Sequence, residues 1–284
     1  MSEDTGGWFA DADPEDSGSA AAAVRDGCAE TPDDWPERAV EAGFAEDADD
    51  YYERLRAATI AATRAAVREA ERADDRQLVH AVRAMDDCER TANELAERLH
   101  EWAGSLFEGV EAGVDGARAV ADREPSGPAE ARAVSLAERA VALDEEAADL
   151  RAYVERAAPE VAPNLAHLAG PVLAARLIAL AGGLESLAKK PAGTVQVLGA
   201  EDALFAHLRG HAPSPKHGVI YVHEYVRGTR PEDRGSAARA LAGKLAIAAR
   251  GDYYRGEFNP EIERQLEERM ATIHARAEEG ERGE

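Results

Sequence analysis

The chain has 284 residues and a formal net charge of −23, and its composition is 45% hydrophobic but only 5% aromatic. Abundant alanine and scarce aromatic side chains favour thin helical layers over a thick β-sandwich, so we expect an all-α protein with one large or two modest domains. The acidity is typical of a halophilic protein from a molar-salt cytoplasm. The sequence has neither an apolar run of membrane-spanning length nor a signal peptide, so we expect a cytoplasmic protein with no membrane partner.

The first 50 residues form an acidic segment. Residues 1–50 contain 16 Asp+Glu and 2 Arg, a composition that cannot bury enough apolar area to fold alone. Four bulky aromatic side chains stand out in it: Trp8, Phe9, Trp35 and Phe44. Such side chains either anchor a segment on a partner protein or pack weakly on the chain's own helices.

Residues 51–160 have the pattern of a helical arm. An apolar stripe with steps of three and four runs from Leu78 to Leu106, as expected of a helix that packs along its length on another. A second stripe is a heptad seam of three repeats: Ala133, Leu136, Ala140, Leu143, Ala147, Leu150 and Val154. Glycines and prolines between positions 109 and 128 separate the stripes. The pattern predicts an antiparallel coiled-coil arm, with two helices of an ordinary bundle as the alternative.

Residues 163–255 are the basic part of an acidic chain. They contain 12 Lys+Arg against 7 Asp+Glu, and they hold all four lysines. Lys and Arg bind phosphates by displacing counterions, so this segment indicates a phosphate-bearing partner, with nucleic acid as the first candidate. The alternative is that these cations pair with the chain's own carboxylates.

Capping and breaking residues predict the helices of this part and of residues 256–284. The predicted helices run from Asn164, as N-cap, to about Ala181, from Gly199 to Arg209, from about Pro231 to Arg250, and from Pro260 towards a charged tail.

Two arginines of the long helix share one face. Arg239 and Arg250 are eleven residues apart, which at 100° per residue places them within about 20° of each other and roughly 16 Å apart. Gly243 and Ala246 lie between them on that face. We therefore expect two outward guanidinium groups flanking a bare backbone, a surface that can straddle a nucleic-acid backbone.

Motifs for catalysis and metal binding are missing from the sequence. His207 and His211 have the i, i+4 spacing of metal ligands, but Gly210 indicates that the helix has already ended between them. The two cysteines have no CxxC spacing, and no phosphate-binding loop or nucleophile motif is recognisable. We expect no enzyme activity, no cofactor and no metal ion.

Many positions of the basic part match a known family. The matching motifs are Ala162-Pro163-Asn164-Leu165, Gly170-Pro171, Gln196 to Glu201, Ala203-Leu204-Phe205, Pro215-Lys216-His217-Gly218 and Ala238 to Arg250. Through these motifs, residues 163–255 resemble the Nop domain, most of all that of the archaeal Nop56/58-like core proteins of box C/D guide-RNA particles.

The resemblance implies an RNA-binding scaffold. In that family the arm forms a homodimer, and the Nop domain binds the kink-turn of a box C/D guide RNA together with a small ribosomal-type protein. The N-terminal domain holds fibrillarin, the 2'-O-methyltransferase. Carried over by position, the RNA contacts fall to Lys189, Lys216, His217, Arg239 and Arg250, while the turn Gly199-Ala200-Glu201 faces the RNA and its bound protein. We expect the aromatic residues Trp8, Phe9, Trp35 and Phe44 to dock fibrillarin.

The sequence departs from the family in two ways. Asp202 stands where the family usually has lysine, which weakens the expectation of a phosphate contact there. Residues 1–50 are also shorter than the usual N-terminal domain, so fibrillarin docking is less firmly implied than RNA binding. Two rival functions remain: a coiled-coil adaptor that binds only protein, and a metal-dependent hydrolase.

Overall fold

The computed structural model describes residues 7–10, 12, 13, 17–27 and 33–282, and the side chains of residues 276–282 are not described. These residues form helices and no strand, which confirms the all-α prediction. The chain divides into two compact units, residues 1–73 and 74–284. The helix that runs from residue 48 to residue 71 thus belongs to the N-terminal unit. The arm, which we expected over residues 51–160, begins at Asp74.

The N-terminal unit contains three helices: α1 (Ser17–Asp26), α2 (Trp35–Glu41) and α3 (Ala48–Glu71). Asp47 caps α3 by accepting a hydrogen bond from the backbone N–H of Asp50 at 2.8 Å. Phe9 and Phe44 are buried with Tyr51 of α3 in one small aromatic core. The aromatic residues Trp8, Phe9, Trp35 and Phe44 therefore pack together with Tyr51 of the same chain.

The C-terminal unit begins with the arm, which consists of α4 (Asp74–Ala103), α5 (Gly113–Ala121) and α6 (Pro128–Val161). Glu89 of α4 pairs with Arg151 near the end of α6, whereas Ala103 shares an apolar cluster with Ala133 near its start. The two long helices are therefore antiparallel, as the stripes predict.

Helix α5 was not expected, because glycines around it suggested a frayed connection. Gly116 is buried inside α5, where an added Cβ would lie 1.9 Å from the carbonyl oxygen of Glu111. This glycine permits the turn that folds α5 back onto both long helices, so the tip of the arm is a three-helix layer.

The heptad seam of α6 is buried unevenly. Its small members, such as Ala140 and Ala147, are buried, whereas Leu136, Leu143 and Leu150 are only partly buried. Leu136 packs on the cluster at the tip and Leu150 on the large core at the base, but Leu143 belongs to neither cluster. A row of leucines therefore remains partly uncovered along the arm.

The remaining helices form a globular part around one central helix. They are α7 (Pro163–Ala169), α8 (Pro171–Ala181), α9 (Leu184–Lys189), α10 (Ala192–Val197), α11 (Glu201–Leu208), a 3-10 helix (Val219–Val222), α12 (Glu224–Arg227), α13 (Arg234–Tyr254) and α14 (Glu261–Arg282). Helix α13 packs against α7, α9, α10, α12 and α14, and its buried alanines allow these neighbours to approach closely.

The single helix predicted from Asn164 to Ala181 is in fact two. Gly170 adopts a φ of +79° directly before Pro171, and α7 and α8 meet at 117°. No single helix in the described ranges is long and apolar enough to cross a membrane.

Asn164 is not the N-cap that the sequence predicted. It lies inside α7, and its amide donates to the buried Asp252 of α13 at 2.6 Å. Asp252 further accepts from the backbone N–H groups of Asn164 and Leu165, which fixes α7 on α13.

Contacts between arm and globular part explain why they form one unit. Asp75 of α4 accepts a hydrogen bond from the backbone N–H of Leu184 at 2.9 Å, and thus caps α9 rather than its own helix. Arg176 of α8 forms an ion pair with Asp86 of α4. The base of the arm is therefore fixed against the helices that carry the basic residues.

Candidate nucleic-acid interface

Helix α13 leaves one stripe uncovered. Arg239, Ile247 and Arg250 are exposed along it, and Gly243 lies between them with no atom within 4 Å of a built Cβ. Ala246, which we expected on this face, is 1% exposed, and Ile247 at 45% takes its place. The stripe is basic and has an uncovered backbone at Gly243, as predicted. Its centre is more apolar than predicted, because Ile247 lies there instead of Ala246.

Arg239 is the free cation of this stripe. It forms no hydrogen bond or ion pair with any residue in the part of the chain that the structure describes. It lines a groove of about 330 Å³ together with Lys244 and Arg269. Lys244 donates to Gln265 of α14 at 2.5 Å and so is held at the groove.

Arg250 is exposed but anchored. Its Nε donates to the carbonyl of Ala188 at 3.1 Å, and an Nη donates to the carbonyl of Lys190 at 3.0 Å. A guanidinium has five N–H donors, so three remain for a ligand. The expectation of an arginine that merely faces outward was therefore incomplete, because Arg250 also satisfies carbonyls at the end of α9.

Lys189 is brought near Arg250 but is already paired. Its ammonium contacts Glu185 at 2.6 Å, one helical turn away. The hydrogen bond from Lys189, and a second from Tyr253, hold the pKa of Glu185 below its usual value. Pairing with the chain's own carboxylates, the alternative weighed for the basic part, thus applies to Lys189 and not to Arg239.

Lys216 and His217 lie near the start of α13. The His217 ring stacks on Tyr221, with ring centres 4.6 Å apart, and the Arg234 guanidinium lies 5.6 Å from the centre of the Tyr221 ring. Burial, followed by the charges of Arg234 and Lys216, lowers the pKa of His217. The surroundings therefore favour the neutral form of His217, which offers a ring face and a hydrogen bond rather than a charge.

The turn Gly199-Ala200-Glu201 lies beside the His217 loop. Gly199 has a φ of +79°, and its N–H donates to the Glu201 carboxylate at 2.8 Å. The N–H groups of Gly218 and Val219 bond to the carbonyls of Gln196 and Leu198 at 2.9 and 2.7 Å. These two bonds hold the predicted turn and the predicted Lys216-His217 pair side by side, although about 17 residues separate them in sequence.

Helix α11, which follows this turn, is unusually exposed to solvent. None of the residues of α11 is buried, and Phe205 and Leu208 are exposed together with Asp202. Sequence reasoning placed this helix but did not foresee its exposed apolar side chains.

Three residues that lie on the candidate surface were not assigned from the sequence. Tyr221 and Arg234 form the stack with His217, and Lys244 shares the groove of Arg239. His217 lies in the loop before the 3-10 helix that carries Tyr221, so helical spacing gave no signal of the stacked pair.

The expected docking residues of the N-terminal unit are largely covered. Phe9 and Phe44 are buried, and Trp8 donates through Nε1 to the Tyr51 hydroxyl at 3.1 Å. Trp35 is half-buried beneath the Arg38 guanidinium, 5.6 Å from the ring centre. Phe9 and Phe44 therefore cannot be exposed anchors in this conformation, and a docking role remains a prediction for Trp8 and Trp35.

Metal binding has no structural support in the described ranges, where no three His, Cys, Asp or Glu side chains lie together as a ligand set. His207 instead contacts the carbonyl of Ala212 through Nδ1 at 3.0 Å. Cys88 is a free thiol, whereas Cys28 lies outside the described residues.

Comparisons with known sequences place this chain in a family. The Nop family, described as "snoRNA binding domain, fibrillarin", matches residues 73–272. An uncharacterized NOP5 family protein of Methanocaldococcus jannaschii is 34% identical over 277 residues, covering 82% of this chain and 65% of that protein. Nucleolar protein 58 of Scheffersomyces stipitis is 33% identical over 246 residues, covering 71% of this chain and 48% of that protein. The chain thus spans less than two thirds of the length of these relatives.

A solved structure is also similar. The crystal structure of a fibrillarin/Nop5p complex contains a chain that matches with a TM-score of 0.53 and 28% identity. The match covers 90% of this chain and 91% of that chain.

Proposed function

This chain belongs to the Nop family, and from that premise we propose that it is a non-catalytic, RNA-binding scaffold of a box C/D guide-RNA particle. Its RNA would be a kink-turn, bound together with a small ribosomal-type protein. The observation that carries the proposal is Arg239, which shares its groove with Lys244 and Arg269, and no carboxylate lines this groove among the described residues. A groove lined by three cations favours an anionic ligand such as a phosphate group.

The neighbouring surface supports recognition of an RNA and a protein together. The Gly199-Ala200-Glu201 turn and the Lys216-His217 pair lie side by side, and α11 beyond the turn exposes Phe205 and Leu208. In molar salt the Debye length is about 3 Å, so long-range attraction is lost and only direct contacts remain effective. An interface that combines phosphate contacts, stacked rings and a protein surface suits these conditions.

The arm would form the homodimer. Leu136, Leu143 and Leu150 lie only partly buried in a row on α6, and a second copy of the arm could cover them by coiled-coil packing. A dimer would place two RNA-binding surfaces in one particle.

The N-terminal unit would dock fibrillarin. The fibrillarin complex of the Nop5p relative supports this partner, and Trp8 and Trp35 lie partly buried at the edge of the aromatic core of the unit. Deleting residues 1–73 removes one complete unit. The shortened protein should keep guide-RNA binding but lose fibrillarin in a pull-down and lose guided 2'-O-methylation. Methylation at the full rate would place the docking surface on the C-terminal unit.

Arg239→Ala tests the RNA-binding proposal. A native-gel titration with guide RNA and its kink-turn protein should show a loss of affinity of about tenfold, which corresponds to one charge-assisted contact of ~1.4 kcal/mol. Arg139→Ala, on the exposed side of α6, is the matched control and should bind normally. Unchanged affinity of Arg239→Ala would contradict the proposed surface. If the wild-type protein bound no RNA, the rival adaptor function would be favoured.

A further inference from the structure

Exposed aromatic side chains gather at the C-terminal end of α13. Tyr254 is 65% exposed and Phe258, just beyond the helix, is 50% exposed. Neither is required by the core: Tyr254 contacts the Tyr253 ring and Phe258 contacts the His167 ring, both edge-on at the surface. In a chain with 5% aromatic residues, two large exposed rings so close in sequence call for a ligand.

These rings border a groove that continues the basic stripe. The groove has a volume of about 440 Å³, and Ile247, Arg250 and Arg255 line it with the two rings. Ile247 also lines the neighbouring groove of Arg239, so the two grooves follow each other along α13. From Arg239 to Tyr254 the helix rises roughly 22 Å.

The charge of the two grooves favours an anionic ligand. Five cationic side chains line them, Arg239, Lys244, Arg250, Arg255 and Arg269, against one carboxylate, Glu257.

Carboxylates near the groove are mostly engaged elsewhere. Glu185 is bonded to Lys189 and Tyr253, Glu261 to Arg264, and Glu263 to His167. Arg255 forms no hydrogen bond or ion pair through its side chain with any described residue. A surface with this charge is unexpected on a chain of net charge −23.

The combination of arginines and aromatic rings indicates which kind of anion fits the groove. A free phosphate or an acidic peptide would use the arginines but not the flat rings. A single-stranded nucleic acid uses both, since its bases stack on aromatic faces while arginines contact its backbone. The stripe also continues from the surface that carries the proposed RNA contacts, so one RNA could occupy both.

We propose that the groove between Tyr254 and Phe258 binds an unpaired nucleotide of the RNA, where a single strand leaves the structured region held near Arg239. The base stacks on Tyr254 or Phe258, and Arg255 with the remaining N–H groups of Arg250 contacts the adjacent phosphates. This inference rests on the proposed RNA-binding function. It adds a subsite for single-stranded RNA to it.

Two RNAs and two variants test the subsite in the full-length protein with the kink-turn protein present. One RNA ends flush with its stem. The other carries a short single-stranded extension that contains the fluorescent base 2-aminopurine, and the extension is placed in turn at the 5' end and at the 3' end. The extension should increase the affinity of the wild-type protein about tenfold and quench the fluorescence, as stacking of one base would. The double variant Tyr254→Ala/Phe258→Ala should bind both RNAs equally and leave the fluorescence unquenched.

Tyr153→Ala, which removes a similarly exposed ring from α6, is the control and should retain the tenfold gain. If the blunt RNA binds but no extension adds affinity, the subsite is wrong and the proposed function stands. If the double variant instead loses the kink-turn protein without RNA, the groove is a protein contact and the inference is overturned. If neither RNA binds the wild-type protein, the proposed function fails and the subsite with it.

Discussion

Helices α6 and α13 are built alike but leave different stripes uncovered. Both bury alanines against their neighbours, which allows close packing. On α6 the uncovered row is apolar, with Leu143 at its centre, whereas on α13 it is basic, with Arg239 and Arg250. The comparison teaches that the buried alanines determine the fold, while the residues of the uncovered stripe determine the partner. We infer a second copy of the chain for α6 and RNA for α13.

The largest effect is expected from a charge placed in the apolar stripe of α6, which should abolish dimerisation. Leu143→Asp places a charge in the proposed dimer seam, and burying it unpaired costs several kcal/mol. Light scattering should therefore report a monomer, while circular dichroism stays helical because Leu143 belongs to neither core cluster of the single chain. Ala142→Asp, on the exposed side of α6, should still dimerise. A normal dimer of Leu143→Asp would show that the α6 stripe has another use.

Within the basic stripe, Arg250 should behave differently from Arg239. Arg250→Ala leaves the carbonyls of Ala188 and Lys190 without their donor, so the free energy of unfolding should fall by about 1 kcal/mol. Thermal melting should record this as a lower Tm, and RNA affinity should fall as well.

Arg239→Ala is the control for that measurement and should melt like the wild type. Arg250→Lys keeps the charge but loses the fork-shaped donor set, so its Tm should also decrease. An unchanged Tm for Arg250→Ala would mean that the carbonyl contacts add no stability.

The smallest effect is expected for a cation that is already paired. Lys189 contacts Glu185 in an exposed pair one turn apart, and such pairs contribute little to stability. In Lys189→Ala the RNA affinity should change by less than about threefold, since an RNA phosphate would only replace a carboxylate already bound. A loss as large as that of Arg239→Ala in the same gel assay would remove the distinction between paired and free cations.

Periodicity predicted the parts of the fold that depend on local sequence. The stripes of α4 and α6 repeat at steps of three and four, and the structure confirms an antiparallel pair. The role of the glycines was harder to predict from the sequence. Gly116 was interpreted as a residue that interrupts a helix, but it permits the buried turn of α5. The bend between α7 and α8 depends on the positive φ of Gly170 before Pro171, which a continuous apolar pattern concealed.

The interface was predictable where it depends on helix geometry and on the resemblance. Arg239 and Gly243 lie on the uncovered stripe as expected. The anchoring of Arg250 was not predictable, since it depends on carbonyls about 60 residues away in sequence. The same holds for the burial of Phe9 and Phe44, because their partner Tyr51 lies on a helix that was assigned to another domain.

The central claim is that the uncovered stripe of α13 binds guide RNA, and the RNA that co-purifies with the protein tests it most directly. The protein and its Arg239→Ala variant would be purified at molar salt, where only direct contacts survive screening, and the bound RNA would be sequenced. The account predicts enrichment of RNAs with box C/D kink-turns on the wild-type protein and a marked loss on the variant. No enriched RNA, or equal recovery from both proteins, would contradict it.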